Sequence, residues 1–218
     1  MTKKEDVVVL SYYDCVLRES DLKILKSNGW LNDAIIGFYF VYLERVRFHP
    51  SSELLFIGPE VTQCLKESPS SDLPVFLDPL EAKNKDYIFM AVNDSGKSAG
   101  GSHWSLLVYS QQENKFYHID SSSQTNFQPA VKLAHNLGIY FRPSIEVDFV
   151  ELSSLQQDNS YDCGIYLICN LENIAEHITS TVNEELGLQH VPFVKKDVVD
   201  SMRKDLLDII VDCKKQQE

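Results

Sequence analysis

The sequence predicts an α+β fold on three observations. Three runs of strand length, YIFMAVN (Tyr87–Asn93), WSLLVYS (Trp104–Ser110) and KFYHID (Lys115–Asp120), follow one another with only turn-rich segments between them, so they read as consecutive strands of one sheet. Helical patterns gather before and after this block rather than alternating with it, which argues against a wound βαβ sheet. No internal repeat and no low-complexity block longer than Ser121 to Ser123 interrupts the 218 residues, so a single domain over 1–218 is expected.

Taken in order, Val7 to Ser11 reads as a short strand, and SDLKILKS as a short helix capped by Ser20 or Asp21. In WLNDAIIGFYFVYLERVRF, apolar residues occupy nearly every face from Ile35 to Phe48, the pattern of a buried helix, and Asn32 or Asp33 stands where its cap belongs. Proline, serine and glycine punctuate the stretch from Pro50 to Pro79, which leaves room for two short helices, Gly58–Lys66 and Leu73–Leu77. Within the strand block, DSGKSAGGSH (Asp94–His103) is small and polar and reads as a mobile loop, while QQEN before Lys115 is a hairpin turn. Pro129 suits the first turn of a helix through PAVKLAHNLGIYF. IEVDFVEL alternates well enough for a further strand with Val147, Phe149 and Leu152 inward. The polar loop SSLQQDNSYD then meets an apolar helix beginning at Cys163. The last helix, Asp197–Cys213, carries a stripe of Val198, Met202, Leu206, Leu207, Ile210 and Val211.

Charge and cysteine usage narrow the function. Twenty Lys and Arg against 32 Asp and Glu give a net charge of −12. Broad nucleic-acid binding and docking on anionic lipid both rest on basic side chains, so neither fits, whereas a basic partner does. The five cysteines are scattered, with no paired CxxC spacing for a metal, and point to a reducing compartment. The apolar run Val7–Leu10 is too short for a signal peptide, and no stretch approaches the roughly 20 apolar residues of a spanning helix. A soluble protein of the cytoplasm, the nucleus or both is therefore expected.

The chemistry concentrates at QQDNSYDCGIYLIC. Cys163 lies in the first turn of its helix, where unpaired amides and the positive end of the dipole favour a thiolate over a thiol. Cys169, inside the apolar run, reads instead as a small buried hydrophobe. A thiolate needs a base, and the contexts of the six histidines separate them. His49, His135, His177 and His190 sit at helix ends, on a surface helix or in a loop, and His118 alternates within a strand and fills one sheet face. His103 opens a strand beside the Gly-rich loop, a position both rigidly held and reachable, and a catalytic and a structural reading both stand there. If Trp104–Ser110 and Lys115–Asp120 form an antiparallel hairpin, His103 and Asp120 share one edge, and Asp120 is the third group that orients an imidazole. Gln156 and Gln157, just upstream of Cys163, each offer a side-chain amide to a developing oxyanion, with the Cys163 amide as the second donor.

GSHWSLLVY, HIDS and QQDNSYDCG together resemble the His, Asp, Gln and Cys boxes of the ubiquitin-like-protein-specific cysteine proteases, whose members process and remove SUMO and related modifiers. VVLSYYDCVLRESDLKIL, WLNDAIIGFYFVYLE and NDSGKSAGGSHWSLLVY are most similar to the deneddylase branch of that family, whose substrate is the ubiquitin-like modifier attached to cullins. The resemblance covers about Val7 to His177. It implies a papain-like cysteine protease fold, a central mixed sheet flanked by helices.

By the same resemblance, Cys163 is the nucleophile, His103 the general base and acid, and Asp120 its orienting carboxylate. Gln157 is the oxyanion donor, preferred to Gln156 because the family's glutamine stands six positions before the cysteine. Trp30 and Asp33 grip the modifier's tail, Trp104 is the aromatic lid over its diglycine, and Asn93 and Asp94 open the loop that closes on it. No metal or cofactor is implied. The implied partners are a ubiquitin-like modifier, the neddylation modifier preferred, and its conjugates such as cullins, with a monomer as the expected state. A SUMO-specific isopeptidase and a non-catalytic module that binds ubiquitin-like tails are the rival readings. Asp158 departs from the family pattern, since a neutral residue more usually follows the glutamine; it either acts on the catalytic pair or faces solvent. With Asp33 and Asp94 near the channel, the acidic balance would suit a basic tail ahead of Gly-Gly.

Overall fold

The computed structural model describes residues 5–96, 100–180 and 187–217. The chain begins with a hairpin, Val8–Tyr12 (β1) against Cys15–Arg18 (β2), and β2 is an element that four residues of CVLR are too short to announce. Helix α1 (Glu19–Leu25) follows directly, so Ser20 and Asp21 lie inside it rather than capping it. The Asp21 carboxylate instead reaches back to accept the Arg18 amide at 2.7 Å and takes the Asn32 side-chain amide, also at 2.7 Å. Helix α2 (Asp33–Tyr42) is capped by Asn32, whose side chain accepts the Ile35 amide at 3.1 Å, and it runs on as a π-helical turn, Leu43–Arg47. Leu54–Ile57 (β3) was also illegible as a strand, because all four residues are buried and no alternation marks them. Helices α3 (Pro59–Glu67) and α4 (Leu73–Leu77) stand where the sequence puts them.

The strand block is β4 (Tyr87–Asn93), β5 (Trp104–Ser110) and β6 (Lys115–Ile119), paired antiparallel in sequence order. The hairpin turn before Lys115 passes through Asn114 at φ 53°. Residues 97–99 of the loop expected to be mobile lie outside the described residues. Helix α5 (Phe127–Phe141) starts two residues before Pro129, and β7 (Asp148–Leu152), α6 (Cys163–Ser180) and α7 (Lys196–Lys215) complete the chain. The sheet order is β3-β4-β5-β6-β7, with both outer strands parallel to their neighbours. The antiparallel core is thus flanked by two crossover connections, β3-α3-β4 and β6-α5-β7, so βαβ units do occur at the sheet's margins.

Alternation along the strands divides the interior in two. Phe89, Ala91, Leu106, Val108, Tyr117 and Ile119 face one cluster, filled by α2, α6 and α7. Ile88, Met90, Val92, Leu107, Tyr109 and Phe116 face the other, covered by α3, α4 and α5. The same period corrects the reading of β7. Val147 and Phe149 pack on the α5 side, whereas Leu152, three residues from Phe149, lies on the opposite face with Val150. The α7 stripe is also rotated by one position. Val199, Met202, Leu206, Ile210 and Cys213 are buried, at steps of three and four, while Val198 and Val211 are exposed. Among the described residues no helix is long and apolar enough to cross a membrane.

This rotation is measurable. Val199→Ala is expected to lower unfolding stability in urea by about 2 kcal/mol, and Val198→Ala by less than about 0.5 kcal/mol; equal losses would mean that the helix presents the other face.

Candidate active site

The site lies where β5, β6 and α6 meet. Cys163 is the first residue of α6, so its amide and the next two have no acceptor within the helix, and the Tyr166 amide already bonds the Asp162 carbonyl at 2.9 Å. The carboxylate of Asp162, the residue before Cys163, pairs with Arg203 of α7 at 2.7 Å, and Arg203 also donates to the Ile24 and Gly29 carbonyls. The approach of α6 depends on Gly164. A Cβ there would lie 2.8 Å from the Leu31 Cβ, so a larger residue would push the thiol-bearing turn outward. Leu31 faces both ways, since its carbonyl accepts the Trp104 indole N–H at 2.9 Å.

The hairpin juxtaposes His103 and Asp120 as its geometry requires. Leu106 pairs with Ile119, which leaves residue 103 just before β5 and residue 120 just after β6 at one rim. The ring Nε2 lies 2.6 Å from Asp120 Oδ1, with both residues at most 5 % exposed. Cys163 is the other side chain that acts on His103, and with Nε2 committed to Asp120 the nitrogen left to face it is Nδ1. Burial alone would drive His103 neutral, but the hydrogen bonds to Asp120 and Cys163 and their charges override it and raise its pKa from 6.5 to about 9. For Asp120 the balance also opposes burial. The His103 hydrogen bond, the Asn126 amide at 2.9 Å and the Ser122 amide at 2.8 Å hold its pKa below the usual carboxylate value. Cys169, by contrast, is deeply buried among apolar side chains and its pKa is pushed far up, as befits an inert thiol.

These shifts carry a stability consequence whose sign differs for the two groups. The raised His103 pKa stabilises the fold fully below pH 6.5, and that contribution is lost as pH rises through about 9. The depressed Asp120 pKa stabilises the fold above the ordinary carboxylate value, and that contribution is lost on acidification.

Beside the thiol runs a cleft of about 510 Å³ lined by Trp30, Asp33, Asn93, Trp104 and Cys163 among others. Trp30 is half exposed at its mouth, and Trp104 is buried against Leu31. Asp33, the first residue of α2, shares the cleft with Glu60 of α3, whose pKa is raised by burial and by Asp33 itself. Asp94 does not line it. Its carboxylate accepts the Ser102 amide and hydroxyl, both at 2.6 Å, and the His103 amide at 3.0 Å, and so ties the return of the loop to the start of β5. The cleft's acidity therefore comes from Asp33 and Glu60, not from Asp94. Asn93 bonds the His103 carbonyl at 3.2 Å, and Gly101 passes so close to it that a Cβ would overlap its side chain.

Gln157 is fixed between two elements. Its Oε1 accepts the Ser121 hydroxyl at 2.8 Å, its backbone N–H donates to the Ser121 carbonyl at 2.8 Å, and one hydrogen of Nε2 goes to the Asn159 carbonyl. The second Nε2 hydrogen remains for another acceptor. Gln156 is exposed, donates to the Asp120 carbonyl at 3.0 Å and accepts the Ser123 amide at 2.9 Å. Asp158 faces solvent and pairs with Lys196 at 3.1 Å. Two residues of the site escaped the sequence reading. Asn126, fully buried, donates its Nδ2 to the Val92 and His103 carbonyls and to Ser105 Oγ. An asparagine before a helix signals a cap, yet this side chain turns inward to the strand ends. Glu60 carries no signal in sequence beyond its place in a helix first turn.

A thiol at a helix N-terminus, an imidazole held by a buried carboxylate and a cleft leading to the sulfur define a thiol hydrolase. A family model described as the Ulp1 protease family, C-terminal catalytic domain, matches residues 29–210. The chain belongs to that family and is a cysteine protease. It is 45 % identical over 185 residues to sentrin-specific protease 8 of Homo sapiens, covering 83 % of this chain and 87 % of that one. It is 34 % identical over 214 residues to NEDD8-specific protease 1 of Arabidopsis thaliana, covering 94 % and 93 %. Among solved structures, the C-terminal Ulp1 protease domain in complex with Smt3, the yeast ortholog of SUMO, superposes with a TM-score of 0.73 at 20 % identity over 97 % of this chain and 90 % of that one. At that identity the likeness is one of fold.

Removing the Asp120 charge should let burial prevail at His103. In Asp120→Asn the pH at which Cys163 becomes alkylated by iodoacetamide is expected to rise by about one unit, followed peptide by peptide in a mass spectrometer so that the exposed Cys64 is counted apart. An unchanged profile would separate Asp120 from the pair.

Proposed function

We propose that the protein cleaves after the C-terminal Gly-Gly of a ubiquitin-like modifier, with NEDD8 preferred, both maturing the modifier's precursor and removing it from conjugates such as cullins. The observation that carries this reading is the approach of Cys163, His103 and Asp120 at the end of a cleft walled by Trp30 and Trp104. A narrow aromatic channel passes glycine and excludes larger side chains, which accounts for a diglycine requirement. The choice of NEDD8 is supported by the names of relatives at 34 and 45 % identity, one of them a NEDD8-specific protease. Asp33 and Glu60 in the cleft favour a basic residue in the tail upstream of the glycines.

In the reaction, His103 takes the Cys163 proton, and the thiolate attacks the carbonyl carbon of the terminal glycine. Gln157 and an amide of the α6 first turn donate to the oxygen as it gains charge. Collapse of the tetrahedral intermediate breaks the C–N bond, and His103, oriented by Asp120, returns the proton to the leaving amine. Water activated by the same imidazole then hydrolyses the thioester and frees the modifier. The raised pKa of His103 makes it a stronger base toward the Cys163 proton than a free imidazole.

Cys163→Ala should abolish cleavage while retaining modifier binding in a pull-down; full activity of the variant would refute the assignment. Modifiers carrying a C-terminal fluorophore separate the substrates. The expected order has NEDD8 cleaved at least about tenfold faster in kcat/KM than SUMO or ubiquitin, and faster cleavage of SUMO would make the enzyme a SUMO isopeptidase. A chain that binds all three and cleaves none would be a recognition module.

A further inference from the structure

On the side of the sheet packed by α5 lies a second imidazole and carboxylate that the proposed reaction does not use. His118 of β6 is completely buried. Its Nδ1 is 2.6 Å from Glu151 Oε1 on the neighbouring β7, and its Nε2 is 2.9 Å from Ser105 Oγ on β5. The Phe149 ring lies 6.0 Å away, and Glu151 is the charged group that the hydrogen-bond network brings to it. A histidine buried in a strand is ordinarily a stabilising fixture, but the polarity of these contacts gives this one a direction.

That polarity follows from Asn126. Its side chain faces the carbonyl oxygens of Val92 at 3.1 Å and His103 at 3.2 Å, which only accept, so it must present its NH₂ group to them. Ser105 Oγ, 3.1 Å from the same nitrogen, shares those two hydrogens with the carbonyls, and an amide NH₂ takes no hydrogen from it. The Ser105 hydroxyl hydrogen therefore turns away from Asn126 and toward His118 Nε2, while His118 Nδ1 faces the Glu151 carboxylate. Turned the other way, the carboxamide would set Oδ1 against two carbonyls; as it stands, Oδ1 is buried with no partner. Asn126 accepts that cost while its backbone N–H donates to Asp120 Oδ2 at 2.9 Å and its side chain grips the His103 carbonyl.

We propose that His118 is a positioning residue for the cysteine protease reaction. Held by Glu151 through Nδ1, it fixes the Ser105 hydroxyl through Nε2. Through Asn126, that hydroxyl fixes both the backbone of His103 and the second oxygen of Asp120. His118 touches neither substrate nor Cys163, and it acts by keeping the His103–Asp120 contact in register with the thiol. This rests on the catalytic roles proposed above for Cys163, His103 and Asp120.

The test compares His118→Phe, which fills the space without either nitrogen, with His118→Gln, whose carboxamide oxygen can accept from Ser105. Kinetics on a fluorogenic modifier and the pH profile of Cys163 alkylation by iodoacetamide are both read on protein shown to be folded by circular dichroism. For His118→Phe, kcat is expected to fall about tenfold with KM within about twofold, and the acid limb of Cys163 alkylation to move up by about half a pH unit. His118→Gln should recover most of both. A folded His118→Phe with the wild-type alkylation profile and kcat, or with a loss matched only by its unfolded fraction, would overturn the proposal. If that variant does not fold, Ser105→Ala cuts the same link while leaving the His118–Glu151 pair, and wild-type behaviour there would overturn it equally. Should the wild-type chain cleave no modifier, the functional reading fails, yet the alkylation profile still decides the role of His118.

Discussion

A carboxylate taken almost wholly out of water must have its lone pairs answered, and the fold around Asp120 is arranged to do so. One oxygen takes the His103 ring and the Ser122 amide, the other takes the Asn126 amide, and the peptide oxygen takes Ser154 Oγ and Gln156 Nε2. These contacts draw the rim of β5, the serine turn, the entry to α5 and the loop before α6 to one point. The serine turn contributes by bending through left-handed conformations at Ser123 and Gln124, with φ of 47° and 64°, which brings Asn126 back toward Asp120. Breaking a buried charge network of this kind by deleting one partner typically costs about 3–5 kcal/mol, so the catalytic geometry and local stability are bound together.

The sheet supplies the rigidity this arrangement needs. Five strands with an apolar cluster on each face fix the hairpin register, and the register fixes which side chains reach the rim. Helix α6 presents Cys163 to that rim because Gly164 admits Leu31, and Leu31 in turn holds Trp104 over the cleft. Nucleophile, cleft wall and the segment before α2 are therefore one packed unit. The same sheet carries the His118 network on its other side, so both faces converge on the His103–Asp120 pair.

Legibility in the sequence followed local physics. The three central strands, the long helices and the His103–Asp120 adjacency could be read because strand length, helical period and hairpin geometry are short-range properties. Strands β2 and β3 could not, being four residues long, and β3 is buried on both faces. Val198 passed for core because a stripe of apolar residues fixes a helix face only to within one position, and the packing partner chooses among them. Asp94 passed for a cleft residue because its neighbours are, but an acid next to a loop closure finds backbone amides first. Asn126 had the signature of a cap and serves instead as a brace between strand ends.

The sequence by itself determined the α+β class and the family and put forward the thiol, imidazole, carboxylate and glutamine as candidates, since each lies in a contiguous motif whose chemistry is written in a few adjacent residues. The tertiary structure alone decided what those motifs face. The proton affinity of His103, the commitments of the Gln157 amide, the pairing of Asp33 with Glu60 and the link from His118 to Asp120 all join residues far apart in the chain. Contacts of that kind depend on how elements dock, and docking is set by burial and close packing across the whole core, which no local pattern encodes.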